Sequence, residues 1–271
     1  MKTLTGEAIG LRTQAVALLW ADEAPAEALR FKAGRWGCVV SLFAAAAASG
    51  KAGAFDAHTY GCWGGGVGLG FGNCYQTFPG GIECFCRFLS VGNDGDERGR
   101  AIGAQMAGSG AGAFVHDFLH GEKYQQSPEV TAQFVAALPI REIPARFVVV
   151  KPLDQVDPER ETPRSVTFFV EPDQLSALVV LANFGDPKGE SVIIPWAAAC
   201  QVMGILAYRE QERVRPRGLV GLTDLSARKT VRGTLGKDIM SFTAPWPVFQ
   251  RLEQNAGDSF LQRETWHALR T

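Results

Sequence analysis

The sequence predicts an α/β fold, or a mixed α+β fold, in which a central mixed sheet is covered by helices. From residue 127 onwards, short apolar segments alternate with longer helix-like segments, and no repeat of fixed period occurs. The composition agrees, because 46% hydrophobic and 20% charged residues in a chain of 271 are ordinary for a globular protein with a sizeable core. No linker rich in proline or serine is present, so we expect a single domain over residues 1–271.

The N-terminal part predicts a strand, a buried helix and a glycine-rich irregular segment. "TQAVALLW" (13–20) is short and apolar and precedes an acidic loop, which is typical of a buried strand. "GCVVSLFAAAAASGK" (37–51) is apolar on every side and ends in Ser-Gly, which predicts a helix buried all round. Residues 61–112 hold about half of the 31 glycines, so we expect little regular structure there apart from "GIECFCRFLS".

The C-terminal half alternates strands and helices. Ser127 as N-cap and Pro128 at the first helical position indicate a helix over 127–139. Apolar or β-branched segments predict five strands, and the intervening segments predict helices. The predicted strands are 146–153, 165–172, 190–196, 217–223 and 238–245, and the predicted helices are 172–183, 197–210 and one or two amphipathic helices after residue 245.

Charge and targeting signals exclude several classes of function. The 27 basic and 28 acidic residues give a net charge of −1, so no global field favours nucleic acid or an anionic membrane. Glu7 and Arg12 interrupt the apolar residues at the N-terminus, so we expect no signal peptide and a cytoplasmic protein. The uncharged segment 191–208 contains Pro195 and Gln201, and we interpret it as a strand followed by a buried helix.

The glycine run "GCWGGGVGLGFG" does not fit a nucleotide-binding loop. It contains no G-x-G-x-x-G motif, and the chain contains no G-x-x-x-x-G-K-[ST] motif, so no nucleotide cofactor is expected. Its glycines instead permit close backbone approach or positive φ angles, and a nest of amide groups there would hold an anion. One hypothesis is therefore a protein that binds an anionic small molecule. Its predicted ligand-binding residues are Gly64, Gly65, Gly66 and Arg228.

The cysteines support a second hypothesis, a metal or iron–sulfur site. In a reducing compartment stable disulfides are not expected, so the thiols would pack, take part in redox chemistry or bind metal. No C-x-x-C pair is present, which excludes zinc-ribbon, bacterial ferredoxin and thioredoxin-like patterns. Thiolate ligands need only converge in space, and packing as small apolar residues is the alternative. The candidate metal ligands are Cys38, Cys62, Cys74, Cys84, Cys86 and Cys200.

Six segments in order along the chain carry a family resemblance. They are "GRWGCVV" (34–40), "HTYGCWGGGVGLGF" (58–71), "RFVVVKPLDQV" (146–156), "SVTFFVEPDQLSALVVLAN" (165–183), "AAACQVMG" (197–204) and "GLTDLSARKTVRGTLGKDIMSFTAP" (221–245). Together they resemble the domain-of-unknown-function family numbered 169, over residues 8–255. The resemblance implies no established activity. It does imply three recurring cysteines, which fall on Cys38, Cys62 and Cys200, and a further one where this chain has Thr223 and Asp224.

We therefore expect a cytoplasmic protein that binds a cysteine-ligated iron–sulfur cluster or metal and has a redox or accessory role. Cys62 is expected to be central. The remaining ligands are expected to be Cys38, Cys200 and one of Cys74, Cys84 or Cys86. On a helix, Cys84 and Cys86 would diverge by about 200°, so at most one of them faces a given site. The expected partner is a small molecule or a redox partner protein, without nucleic acid or membrane.

Overall fold

The computed structural model describes residues 1–107 and 112–270, and the chain divides into two compact units. The first unit comprises Met1–Gly72 together with the chain from Arg141 onwards, and the second comprises Asn73–Ile140. The prediction of irregular structure for residues 108–111 lies outside the described residues.

The chain leaves the first unit after Gly72 and returns to it at Arg141, and backbone hydrogen bonds join the two crossing segments. We call these paired segments, residues 70–72 and 141–143, the neck. The Gly72 amide donates to the Arg141 carbonyl at 3.0 Å, and the Ile143 amide donates to the Gly70 carbonyl at 2.9 Å. Pro139 and Pro144 lie where the chain returns to the first unit, but they are not part of a longer segment rich in proline and serine, so the sequence did not indicate a division there. A single domain over residues 1–271 stays a prediction.

A seven-stranded mixed sheet forms the centre of the first unit, which confirms the predicted fold class. The strands are β1 (Val16–Ala21), β2 (Gly53–Phe55), β3 (Phe147–Pro152), β4 (Ser165–Val170), β5 (Val192–Ile193), β6 (Gly218–Gly221) and β7 (Met240–Pro245). Their order is β2-β3-β1-β4-β7-β6-β5, with β5 and β6 parallel and the other neighbours antiparallel. The short strand β2 was not predicted, because three residues carry too little pattern.

Helices occur in both units. In chain order they are α1 (Leu4–Ala8), α2 (Val40–Ser49), α3 (Trp63–Leu69), α4 (Gly81–Phe88), α5 (Glu97–Ala107), α6 (Gly112–His120), α7 (Pro128–Ala137), α8 (Pro172–Ala182), α9 (Ala199–Gln201), α10 (Ala207–Gln211), α11 (Leu225–Leu235), α12 (Trp246–Ala256) and α13 (Glu264–Leu269). Ser127 caps α7 as predicted, because its hydroxyl accepts a hydrogen bond from the Val130 amide at 3.3 Å.

A hydrophobic core of the first unit lies where α8 and α12 cover β4 and β7. Phe168 and Phe242 are opposite each other in the β4–β7 register and are fully buried. Phe168 stacks on Phe249 of α12, with ring centroids 6.2 Å apart. Burying each such side chain contributes roughly 1.5–3 kcal/mol, so this layer anchors the sheet on which the candidate site is built.

The helix that carries Cys200 changes its geometry along its length. α9 continues through a π-helical segment, Val202–Leu206, and then into α10. The sequence predicted one helix over 197–210, and the structure shows these consecutive helical segments over nearly the same residues. π-Helical turns are rare and often occur at functional sites, because they shift the following residues around the helix axis.

The glycine-rich part of the chain is more helical than the sequence indicated. α3, α4 and α5 all lie between residues 61 and 112. Gly70 has a positive φ angle directly after α3, and Gly80 and Gly81 have positive φ angles where α4 begins, so the glycines separate short helices. In the part of the chain that the structure describes, no helix is both long and apolar enough to cross a membrane.

Aromatic rings form the core of the second unit. Phe78 contacts Phe85 with ring centroids 5.3 Å apart and Phe118 with centroids 6.0 Å apart. The Asn93 side-chain amide donates to the carbonyls of Cys84 and Phe118, at 3.0 Å in each case. Because this amide is buried and bonded at both protons, it ties α4 to α6 within the unit.

Candidate functional site

Three of the six cysteines meet in the first unit, each at the start of a helix. Cys38 lies two residues before α2, Cys62 is the N-cap of α3, and Cys200 is the second residue of α9. Burial is the largest cause of the raised pKa of Cys62 and of Cys200; the Cys38 thiol raises the pKa of Cys62 further, and Cys62 and Cys38 both raise the pKa of Cys200 further. We call these three residues, together with the adjacent Asp224, the thiol centre.

Cys62 and Cys200 are both bonded to the first turn of α3. The Gly65 amide donates to the Cys62 Sγ at 3.3 Å, so the sulfur caps the helix. The Cys200 thiol donates to the Gly64 carbonyl at 3.2 Å, which fixes the start of α9 against the start of α3. Two thiols are thus held on the same helical turn by separate hydrogen bonds.

Glycines allow the two helices to approach closely enough to bring these thiols together. A Cβ atom on Gly68 would lie 2.7 Å from the Cys200 carbonyl carbon, and one on Gly204 would overlap the Gly68 carbonyl oxygen. A Cβ on Gly65 would overlap the Val39 side chain. The glycine run therefore serves the close backbone approach that the sequence suggested, although within a helix rather than in a loop.

Asp224 completes the thiol centre from a fourth element. It is the N-cap of α11, and its carboxylate accepts hydrogen bonds from the Ala227 and Ala199 amides, at 2.6 Å in each case. The residue is only 8% exposed, and this burial raises the pKa of Asp224, although the two amides lower it in part. One carboxylate therefore joins the N-termini of α9 and α11 beside the three thiols.

Loss of hydration keeps the thiols uncharged, although among these three residues only Cys200 is buried, and Cys38 and Cys62 are partly exposed. This loss of hydration raises the pKa of Cys62 from its ordinary value of 9.0 to about 12, with the Cys38 thiol adding to the effect and the Gly65 amide opposing it. Burial also raises the pKa of Cys200 well above 9.0 and raises the pKa of Cys38, despite partly opposing contacts with the Val40 amide and Thr230. An incoming metal or electrophile must therefore displace protons from these thiols.

Cys62 is expected to be alkylated slowly in the folded, metal-free protein. At pH 9 iodoacetamide should modify it roughly 500-fold more slowly than in the protein unfolded in denaturant, since only the thiolate reacts and its fraction falls from about a half to about a thousandth. The rate should rise as the pH increases towards 12, because the pKa of Cys62 is raised to about 12. Mass spectrometry of peptides after timed quenching measures this rate. Equal rates in the folded and unfolded protein would contradict the burial of this thiol.

The other three candidate cysteines lie in the second unit, with their side chains buried. Cys74 begins a 3₁₀-helical turn, and Cys84 and Cys86 lie on α4. Burial is the largest influence on Cys84 and Cys86 and raises the pKa of each thiol. A ligand role for any of these three stays a prediction.

The predicted anion-binding residues are engaged within the chain. Gly64, Gly65 and Gly66 lie on the first turn of α3, where the Gly65 amide donates to Cys62 Sγ and the Gly66 amide donates to the Cys62 carbonyl at 2.9 Å. The Arg228 guanidinium donates to the Ile239 carbonyl at 3.0 Å and to the Lys237 carbonyl at 2.8 Å, so it holds the turn between α11 and β7. An anion-binding role for these four residues stays a prediction.

Asp224 was not among the site residues that the sequence indicated. Its position indicates only that, with Thr223, it stands where the family resemblance implies a cysteine. The available signal was the pattern of an aspartate three residues before Ala227 at the start of "LSARKTVRGTL", which is typical of an N-cap. Because α11 contains few apolar residues, the spacing of its apolar residues does not predict a helix, and Asp224 therefore does not stand out as an N-cap in the sequence.

The fold and the thiol centre define a mixed α/β protein in which cysteines from three helix starts converge beside a buried carboxylate. A family model matches residues 6–255 of the 271, and the chain belongs to this family, DUF169, which is described as Uncharacterised ArCR. No curated protein and no solved structure matches the chain at a significant level.

Proposed function

We propose that the thiol centre binds an iron–sulfur cluster and that the protein has a redox or accessory role. The observation that supports this most directly is the convergence of Cys38, Cys62 and Cys200 at three helix N-termini. Thiolates are the principal protein ligands of iron–sulfur clusters, and helix N-termini favour the negative charge that such ligands carry. When bound, the cluster would supply one-electron transfer to or from a redox partner.

The donor set fits a cluster in number and in chemistry. Three thiols and the Asp224 carboxylate are four anionic donors, one for each iron of a four-iron cluster. Each Asp224 oxygen accepts one amide at 2.6 Å and keeps a second lone pair. The carboxylate would stand where the family resemblance implies a further cysteine, so this chain would use an oxygen ligand in its place.

A cluster requires a different arrangement of its protein ligands than a single metal ion does. Around one tetrahedral zinc ion the ligand sulfurs would be about 3.8 Å apart, given a metal–sulfur distance of about 2.3 Å. Among the described residues, no three His, Cys, Asp or Glu side chains are grouped in a way that would hold one ion. In a cluster each thiolate binds a different iron atom, so its ligands stand further apart than around one ion.

The chain's own residues would control how readily the site is loaded. Since burial raises the pKa of all three thiols, loading must release their protons to solvent or base. Cluster retention is therefore expected to weaken as the pH falls. The Gly65 amide, which donates to Cys62 Sγ, would stabilise the thiolate once it has formed.

Replacing Cys62 by serine is expected to abolish cluster binding and leave the fold intact. Serine is a good N-cap residue, so the bond from the Gly65 amide is kept while the thiolate is lost. After anaerobic purification and reconstitution with iron and sulfide, the unmodified protein should retain about four irons and four sulfides per chain. The Cys62→Ser variant should retain less than about a tenth of this amount, because a bound cluster depends on its thiolate ligands.

The matched control is Cys84→Ala, which removes a buried thiol from the second unit. This variant should keep the full iron and sulfide content. Circular dichroism of both variants checks that each is folded. Unmodified protein that is folded but free of iron after reconstitution would contradict the proposal, as would equal iron content in the two variants. If the protein instead bound only zinc, at one ion per chain, the thiol centre would be a single-ion site and the cluster proposal would be wrong.

A further inference from the structure

A groove with a volume of about 710 Å³ lies in the second unit between α4 and α7. We call it the α4–α7 groove. Its floor is apolar and includes Cys86, Val135 and Leu138. Cys86 and Val135 are 5% and 4% exposed, so the floor is formed by side chains that are packed into the unit. The volume lies within the range of about 300–1,000 Å³ that is typical of small-molecule sites.

The rim of the α4–α7 groove is charged. It carries the carboxylates of Glu83 and Glu129 and the guanidinium of Arg87. A hydrogen bond with the Ser127 side chain lowers the pKa of Glu129, and the positive charge of the nearby Arg87 lowers it further. The negative charge of Glu129 and the positive charge of Arg87 therefore offset each other. Within the described residues Glu83 makes no ion pair, and its charge adds to the burial that raises the pKa of Cys86. One negative charge thus remains unbalanced beside the apolar floor.

We propose that the α4–α7 groove binds a small amphipathic amine, with the apolar part of the ligand on the floor and its ammonium group at Glu83. The two carboxylates against one guanidinium give the rim a net charge of −1, which favours a cation over an anion of the same shape. The apolar floor supplies the area that a hydrocarbon or aromatic group would bury. This site lies in the second unit and does not depend on the proposed cluster.

The test compares two probes of matched shape, 3-phenylpropylamine and 3-phenylpropanoate, with the full chain. Dissociation constants are obtained from ligand-observed NMR titrations. The amine is expected to bind at least about tenfold more tightly than the carboxylate, since their charges are opposite at the same position. The Glu83→Gln variant is expected to weaken amine binding about twofold to fivefold, because Glu83 is exposed, and to leave carboxylate binding no weaker.

Neighbouring alanines on α7 supply a matched pair of variants. Ala136 lines the groove and Ala137 does not, although both are exposed on the same helix. Ala136→Phe should fill the groove and abolish amine binding, whereas Ala137→Phe should leave it unchanged. Equal binding by these two variants would overturn the proposal. Carboxylate binding as tight as amine binding would also overturn it, and so would the absence of amine binding up to about 10 mM.

Discussion

Replacing Gly204 by alanine is expected to lower the free energy of unfolding by about 3 kcal/mol. The added methyl group would overlap the Gly68 carbonyl oxygen, and backbone cannot move aside as a flexible side chain can. The loss should appear as a decrease of about 6–12 °C in the melting temperature, measured by thermal unfolding followed by circular dichroism.

Gly233→Ala is the matched control for this substitution. Gly233 lies inside α11, and a Cβ there would meet no heavy atom within 4 Å. Alanine at this position is expected to raise the free energy of unfolding by about 0.5–1 kcal/mol, through helix propensity and a less flexible unfolded chain. If both variants were equally stable, the close contact between α3 and the π-helical segment would not be required for the fold.

Replacing Arg217 by methionine should destabilise the protein by a similar amount, about 3 kcal/mol. Glu210 has a fully buried side chain and accepts hydrogen bonds from the Arg217 Nε at 3.0 Å and from an Arg217 Nη at 2.8 Å. The other basic partner, Arg213, is half exposed and lies 3.6 Å away. Removing Arg217 therefore leaves a buried charge with little compensation. Urea unfolding of the variant measures the loss.

An exposed ion pair supplies the control. Arg12 and Glu171 are 77% and 37% exposed at their side chains and lie 2.7 Å apart. Arg12→Met is expected to change the free energy of unfolding by less than about 0.5 kcal/mol, because water screens this pair. The double variant Glu210→Met/Arg217→Met should recover most of the stability lost by Arg217→Met alone. Similar losses for Arg12→Met and Arg217→Met would show that burial of Glu210 is not the cause.

Most of the sheet could be predicted from the sequence because its strands are buried on both faces. β3 and β4 are buried along their whole length, and apart from Lys151 and Ser165 their residues are apolar or β-branched. The start of α7 was equally clear, because the Ser-Pro-Glu signal acts within one turn. These elements are determined by residues that are close together in the sequence, so a single sequence is enough to predict them.

The thiol centre could not be predicted from local sequence patterns, because it is formed by residues that are far apart in the sequence. Cys38, Cys62 and Cys200 are far apart in the sequence, and only the family resemblance grouped them. α3 was missed because four of its seven residues are glycine, which is a poor helix former in isolation. Packing of α3 against α9 outweighs the low helix propensity of glycine. The same packing explains why glycine is needed at Gly68, since a Cβ there would lie against the backbone of α9.

The closed neck of the first unit has a consequence for how the chain can be rearranged. Gly70 and Gly72 are already hydrogen-bonded to Ile143 and Arg141, so the two ends of the intervening segment are adjacent in the folded first unit. The entropy needed to close such a loop grows only slowly with its length, so the neck can carry a long segment or a short turn at similar cost. In terms of chain connectivity, residues 73–140 are inserted between two adjacent points of the first unit, and the sheet and the thiol centre lie wholly outside this insertion.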